Sequence, residues 1–256
     1  MENPETYKVL SCILEILKMM IESGAEIYRV EESAIRMFKA RGAKKVDVYA
    51  TTSNIIVSIE TSDGVIKTHT RRIGSITTDI ERIHKLNALA RDISSGQLTL
   101  YQIKQRIHTI QVAPTYSRFV TILFYGVIAG AFYLFFNGRN WVEFLCSFGI
   151  GLVTGVLSKA ADHIRINKFW IKFICSFIAC MIAFSLRRFG VIESIDYIII
   201  ANIMTLIPGI GLTNSLRDLF VGDSISGILR LIEAMMLALA IACGYIITSF
   251  VFGGVM

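Results

Sequence analysis

The chain has 256 residues, 54% of them hydrophobic, and a formal net charge of +6, with a mean hydropathy of +0.58 that exceeds what ordinary soluble domains carry. Residues 1–114 hold 16 Lys/Arg against 13 Asp/Glu, and the remainder holds 10 against 7. With the surplus spread this evenly, no basic block or aromatic–basic weave exists, which argues against a nucleic-acid partner. The contrast in polarity predicts a soluble domain of residues 1–115 followed by a membrane domain of residues 116–256. Cys12, Cys146, Cys175, Cys180 and Cys243 form no CxxC pair and read as small hydrophobes in helix interfaces. "MENPETYKVL" lacks the basic–apolar–small pattern of a cleaved signal, so membrane targeting is expected from the later segments.

In "VLSCILEILKMMI", Leu10, Ile13, Leu14, Leu17, Met20 and Ile21 share one helical face. Ser23 is placed to cap a second helix, with Glu26 reaching back as a capping box, and that helix should run to Arg41 and stop at Gly42. The period then changes to two: "VDVYA", "NIIVSIE" and "VIKTHTRRI" read as strands, with Asp63-Gly64 turning the hairpin. Two further helices are expected at about 77–94 and 99–112, the first ended by Gly96 and the second capped by Thr99 with Gln102. The result is an α+β domain with a small antiparallel sheet, large enough for its own core. Within "SGAEIYRVEES", Glu26–Arg29 and Glu32–Arg36 are helical pairs. They make either a solvated face or an interface with the membrane domain, and for the interface the candidates are Glu26, Arg29 and Glu31.

His69, His84 and His108 are isolated, and no Walker A, GxGxxG, GxSxG or HExxH motif occurs. No metal, no cofactor and no enzymatic activity are therefore expected.

Beyond residue 116, five apolar stretches are predicted to span a bilayer, at about 117–136, 141–158, 169–186, 191–207 and 228–252. Glu193, Asp196 and Asn202 interrupt the fourth. Gly126/Gly130, Gly151/Gly155 and Ala179/Ala183 are small-xxx-small pairs that allow close helix packing, within a bundle or in a homo-oligomer. Lys159, Arg165, Lys168 and Lys172 place the loop between the second and third spans in the cytoplasm. The N-terminal domain is then cytoplasmic and the C-terminus outside, against the contrary signal of Arg187 and Arg188. The fold class expected is thus a polytopic α-helical membrane protein of about five transmembrane helices with an N-terminal cytoplasmic α+β domain.

Between the fourth and fifth spans lies "IPGIGLTNSLRDLFVGD". Pro208 removes a backbone donor, and Gly209 and Gly211 allow the helix to unwind. Broken backbone at membrane depth is tolerated where it lines water or a site. Thr213 or Asn214 could cap a new short helix whose positive end attracts an anion. Arg217 offers a planar fork for a carboxylate. Asp218 or Asp223 could hold that fork, bind an ammonium group or carry a proton, and Arg230 and Glu233 could extend the network. Discontinuous helices hold substrate this way in transporters. The plainer alternative is a cytoplasmic loop with solvated charges and Pro-Gly as an ordinary helix stop.

"IPGIGLTNSLRDLFVGDSISGILRLIEA" closely resembles the signature of the threonine/serine exporter family (the ThrE/YjjP type), carried here by Pro208-Gly209, Thr213-Asn214, Arg217-Asp218, Gly222-Asp223, Arg230 and Glu233-Ala234. "SGAEIYRVEES", "TTSNIIVSIETSDGVIKTHTRRI" and "HKLNALARDISSGQLTLYQIKQRIHTI" resemble its soluble part, so the resemblance covers nearly the whole chain. It implies export of threonine and serine, or of succinate, across the bacterial inner membrane, driven by the proton gradient. Substrate binding would fall to Asn202, Pro208, Gly209, Thr213, Asn214 and Arg217, and coupling to Asp218, Asp223, Arg230 and Glu233. The family occurs as one long chain or as two subunits. This sequence resembles the larger subunit, which implies a small membrane-protein partner supplying the second half of the transporter. The competing readings are a membrane-anchored metabolite sensor, a passive channel and an intramembrane hydrolase, the last resting only on Asp162-His163.

Overall fold

The stripe that defines the first helix also fixes what it packs on. In the computed structural model, which describes residues 4–113, 116–164 and 166–253 (of 4–7 and 162–164 only the backbone), α1 (Pro4–Glu22) turns Leu10, Ile13, Leu14, Leu17, Met20 and Ile21 inward, all buried. Arg165, and the side chains of Asp162 and His163, lie outside the described residues. α1 ends where Gly24 adopts φ +91°. A Cβ there would be strained by that left-handed conformation and would also meet the Thr77 carbonyl oxygen at 2.9 Å.

α2 (Ile27–Ala40) follows and stops at Gly42, which has φ +90°. The capping box expected of Ser23 and Glu26 does not form. Glu26 is itself the N-cap, without a side-chain capping bond. The Ser23 amide already donates to the Met19 carbonyl of α1, so no free donor waits for Glu26 there.

β1 (Lys45–Ala50), β2 (Asn54–Glu60) and β3 (Ile66–Arg72) form an antiparallel meander in the order β1-β2-β3, with Val57 opposite Val48 on one side and His69 on the other. Alternation along β2 puts Ile55, Val57 and Ile59 into the same core as the α1 stripe. α3 (Ile80–Ser94) starts three residues later than its pattern suggests, because Asp79 accepts the Arg82 amide and so sets the cap, while the Thr77 amide donates to the Glu22 carbonyl. α4 (Leu100–Val112) opens with the expected Thr99–Gln102 capping box.

Close packing divides the chain into two compact units, Met1–Pro114 with Ile210–Leu231, and Thr115–Gly209 with Ile232–Met256. The elements of the C-terminal part are α5 (Arg118–Phe135), α6 (Trp141–Ile164), α7 (Lys168–Arg188), α8 (Ile195–Leu206), α9 (Gly209–Val221) and α10 (Ser224–Val251). α9 from Ile210 onward and the first turns of α10, to Leu231, belong to the first unit. Among the described residues, α5, α6, α7 and α10 are long and apolar enough to cross a membrane, and there are five spans if the bent pair α8 and α9 counts as one. The fourth span expected at 191–207 is thereby corrected. α8 has only 12 residues, a rise of about 18 Å against a hydrocarbon core of about 30 Å, and Pro208 ends it.

Within the second unit the glycine pairs of α5 and α6 face each other. A Cβ on Gly151 would lie 2.7 Å from the Tyr125 carbonyl oxygen, and one on Gly126 3.0 Å from the Phe148 carbonyl oxygen. These surfaces are taken up by packing inside one chain rather than left open for a second copy. Gly151→Val is expected to destabilise the protein by about 1–3 kcal/mol through overpacking. A Cβ on Gly149 would meet no atom within 4 Å, so Gly149→Val serves as control. Thermal unfolding of the detergent-solubilised protein reads both, and equal midpoints for the two variants would contradict the packing described.

Candidate functional site

The left-handed turn at Gly24 presents four successive residues, 24–27, and each meets a side chain from α9 or α10. Asn214 donates from Nδ2 to the Gly24 carbonyl at 3.2 Å. Arg230 donates from Nη2 to the Ala25 carbonyl at 2.9 Å. The Arg217 guanidinium is hydrogen-bonded and ion-paired to the Glu26 carboxylate. The Ile27 amide, first in α2, interacts with the Asp218 carboxylate. The two stretches singled out in the sequence, "SGAEI" and "TNSLRD", therefore fold into one site inside the first unit.

The residues differ sharply in exposure. Arg217 keeps 51% of its side chain exposed, whereas Glu26 keeps 13% and also pairs with Arg29 Nε at 2.9 Å. Arg217 is thus a reachable cation holding a half-sequestered carboxylate by one nitrogen. Asp218 and Arg230 are closed off. Their ion pair, Oδ2 to Nη1 at 3.5 Å, has side-chain exposures of 0% and 8%. Neither Asp218 oxygen completes a hydrogen bond of normal geometry among the described residues, so its charge is balanced by Arg230 and by the positive N-terminal end of α2.

Acids outnumber bases here. Glu26, Glu31, Asp218 and Asp223 stand against Arg29, Arg217 and Arg230, a formal charge of −1 when all are ionised. Glu31 accepts the Ala50 amide at 2.7 Å. Burial pushes its carboxyl above the ordinary glutamate value, the Ala50 amide pulls it back, and the negative charge of Asp223 pushes it up again. One Asp223 carboxylate oxygen is buried without a hydrogen-bond partner among the described residues.

Several expectations need correction. Thr213 and Asn214 do not cap a helix, because α9 already begins at Gly209. Pro208, with its fixed φ, stands just before that start. Gly209 and Gly211 are helical rather than unwound, and the break is confined to Ile207 and Pro208. The fork of Arg217 is held by Glu26, not by Asp218 or Asp223. Glu233 does not extend the Arg230 network; it is exposed and pairs with Lys168 at 3.4 Å. Asn202 lies buried in the second unit, donating from Nδ2 to Ser147 Oγ at 3.1 Å and to the Ile198 carbonyl at 3.0 Å. The site therefore gathers Glu26, Arg29, Asn214, Arg217, Asp218 and Arg230, with Glu31 and Asp223 within electrostatic range. Asn202, Pro208, Gly209 and Glu233 belong to the other unit.

Glu143, which no sequence pattern marks as part of a site, is 3% exposed near the start of α6. It accepts the Tyr133 hydroxyl at 2.7 Å and the Glu193 and Ser194 amides at 2.8 Å each, tying α5, α6 and the entry to α8 together. Arg187 completes this clamp by donating to the Glu193 carbonyl. That is a structural use for the arginine whose position spoke against the charge-derived topology. The available signal was a carboxylate inside an apolar span.

A protein-family profile described as "Putative threonine/serine exporter" (ThrE) matches residues 11–252. The chain is 24% identical to the "Probable succinate transporter subunit YjjP" of Klebsiella aerogenes, over 98% of this chain and 97% of that one. It is 23% identical to the protein of the same name in Escherichia coli, over 99% and 98%. It is 24% identical to the "Probable threonine/serine exporter" of Mycobacterium tuberculosis over 96% of this chain, but that match covers only 47% of the longer relative. No solved structure matches the chain.

Proposed function

From the premise that the chain belongs to the threonine/serine exporter family, we propose that it is one subunit of a proton-gradient-driven exporter of small carboxylate-bearing metabolites across the bacterial inner membrane. Threonine, serine and short dicarboxylates such as succinate are its candidate substrates, after the names of its relatives. The observation that carries the reading is the Arg217–Glu26 pair, a half-exposed guanidinium already occupied by a carboxylate of the protein itself. A substrate carboxylate reaching Arg217 replaces Glu26, which retains Arg29 as its partner. Displacing Glu26 loosens the grip on the turn at residues 24–27, and this couples substrate binding to movement of α9.

The extra acid gives the cluster its second role. An array with a formal charge of −1 and a carboxyl raised by burial takes up a proton more readily than a solvated glutamate. Glu31 is the proton acceptor in this reading, with Asp223 beside it. A raised carboxyl contributes stability that is present below its ordinary value of about 4.3 and lost as pH rises through the raised value. Glu31→Gln keeps an oxygen for the Ala50 amide and removes that titration.

The second half of the pathway comes from a small membrane-protein partner. The word "subunit" in two relatives' names and the 47% coverage of the longer exporter both support this. The residues 1–115 domain and the N-terminus face the cytoplasm, and the C-terminus faces outward.

The test is efflux from membrane vesicles loaded with threonine, serine or succinate, with this chain alone, with a candidate small partner, and with Glu31→Gln. The wild-type pair is expected to export one of them faster when a proton gradient is imposed, and Glu31→Gln to export at a rate indifferent to the gradient. Gradient-independent flux through the wild type would make the protein a channel. Absence of flux in every combination, with the protein inserted, would leave a sensor.

A further inference from the structure

A cleft of about 390 Å³ lies on the first unit between α1 and α4, away from the turn at residues 24–27 and unused by the transport reading. Both helices line it with the same spacing, residues 8, 11, 12 and 15 on α1 and 104, 107, 108 and 111 on α4. This is the i, i+3, i+4, i+7 ridge of a helix face. Cys12 and Ile107 form an apolar floor, 7% and 6% exposed. Lys8, Lys104 and His108 stand exposed on the rim.

Glu15 and Gln111 close one end, joined by a hydrogen bond from Gln111 Nε2 at 3.4 Å. Glu15 is further held by Lys18 at 3.8 Å, so its charge is partly answered before any ligand arrives. Seven residues separate the lysine end from the Glu15–Gln111 end, about 10 Å along a helix.

We propose that this cleft is an effector site for a small aliphatic carboxylate that bears a hydrogen-bonding group at its far end. The carboxylate sits between Lys8 and Lys104, two flexible ammonium groups on separate helices that close on an anion from opposite walls. The carbon chain lies over Cys12 and Ile107, and the hydroxyl, ammonium or second carboxyl meets Gln111 and Glu15. A hydroxyl or ammonium is favoured there over a second carboxylate, because Glu15 repels a like charge. Such a ligand bridges α1 to α4. α1 also ends in the turn that α9 and α10 hold, so occupancy of the cleft biases that turn.

Isothermal titration of the full-length protein in lipid nanodiscs tests this, with 6-aminohexanoate, 6-hydroxyhexanoate, adipate and acetate as probes. The protein carries Arg217→Ala throughout, so that binding at the proposed transport site is silenced and the two readings fail separately. 6-Aminohexanoate or 6-hydroxyhexanoate is expected to bind more tightly than adipate, whose second carboxylate meets Glu15, and than acetate, which reaches only the lysine end. Lys8→Glu with Lys104→Glu is expected to weaken that binding by about tenfold or more, and both positions are exposed, so the fold should survive. Ile107→Trp, which fills the floor, is expected to abolish it. If none of the probes binds, or if binding is indifferent to the two lysine reversals, the cleft is not an effector site, whatever the efflux measurements say.

Discussion

Arg217→Ala is expected to cut efflux by about 10–100-fold while leaving the protein folded and inserted. A charge-assisted hydrogen bond to a carboxylate is worth about 1.5–3 kcal/mol, and each 1.4 kcal/mol is about tenfold. The cost to the fold is small for a specific reason. Arg217 itself is 51% exposed, although Glu26 keeps only 13%, and a pair whose cation stays solvated contributes on the order of 1 kcal/mol. Glu26, left behind, still pairs with Arg29. Arg217→Lys retains the charge but loses the fork, and an intermediate rate is expected of it.

The same geometry makes an opposite prediction for the partner residue. Glu26→Gln removes the internal carboxylate that competes for Arg217, so half-maximal efflux should need less substrate, while the maximal rate falls because the turn is no longer held between cycles. Efflux rate against internal substrate concentration separates the two effects. Were Arg217→Ala to transport like wild type, Arg217 would be a joint and nothing more. Were Glu26→Gln to shift neither parameter, the displacement step would be wrong even with Arg217 essential.

The parts of this fold that were legible in the sequence are those decided by near neighbours. The α1 stripe, the Thr99–Gln102 box and the alternation of β2 depend on residues three, four or two apart, and they appear where periodicity places them. Where a local signal failed, a competitor had claimed the same group. Ser23 could not complete a capping box because α1 had used its amide. Pro208 reads equally as the end of one helix and the approach to the next. Here it is both, which shortened the fourth span and drew Gly209, Thr213 and Asn214 into α9.

The site itself was half legible. Arg217, Asp218 and Arg230 attract notice as charges beside apolar sequence. No periodicity links Arg217 to Glu26, which lies 191 positions earlier, so in the sequence alone Asp218 and Asp223 stand as its nearest possible partners. Glu143 is not legible, because a single acid at the start of a span looks like an interfacial charge, and only the fold brings Tyr133 and two backbone amides around it.

The buried pair offers the sharper separation of stability from transport. Asp218→Ala is expected to destabilise the protein by about 3–5 kcal/mol, since it leaves the Arg230 guanidinium, 8% exposed, without its carboxylate. Arg230→Ala should cost a similar amount, because Asp218 is fully buried and its oxygens have no complete hydrogen bond among the described residues to fall back on. It additionally frees the Ala25 carbonyl. Lost transport in either single variant would therefore say little about mechanism.

The double variant Asp218→Leu/Arg230→Met removes both charges at similar volume. Such replacements of buried ion pairs are neutral or stabilising by about 1–4 kcal/mol. It is expected to unfold close to the wild-type temperature, the freed Ala25 carbonyl offsetting that gain, and yet to export at background rate, because the cluster can no longer respond to protonation at Glu31 or to a carboxylate at Arg217. Restored folding together with restored efflux would mean that the pair only fastens α9 to α10, and the coupling would then have to reside in Glu31 and Asp223 without it. Restored folding without efflux would place the pair in the transport cycle, since its charge and not its packing would be what the exporter uses.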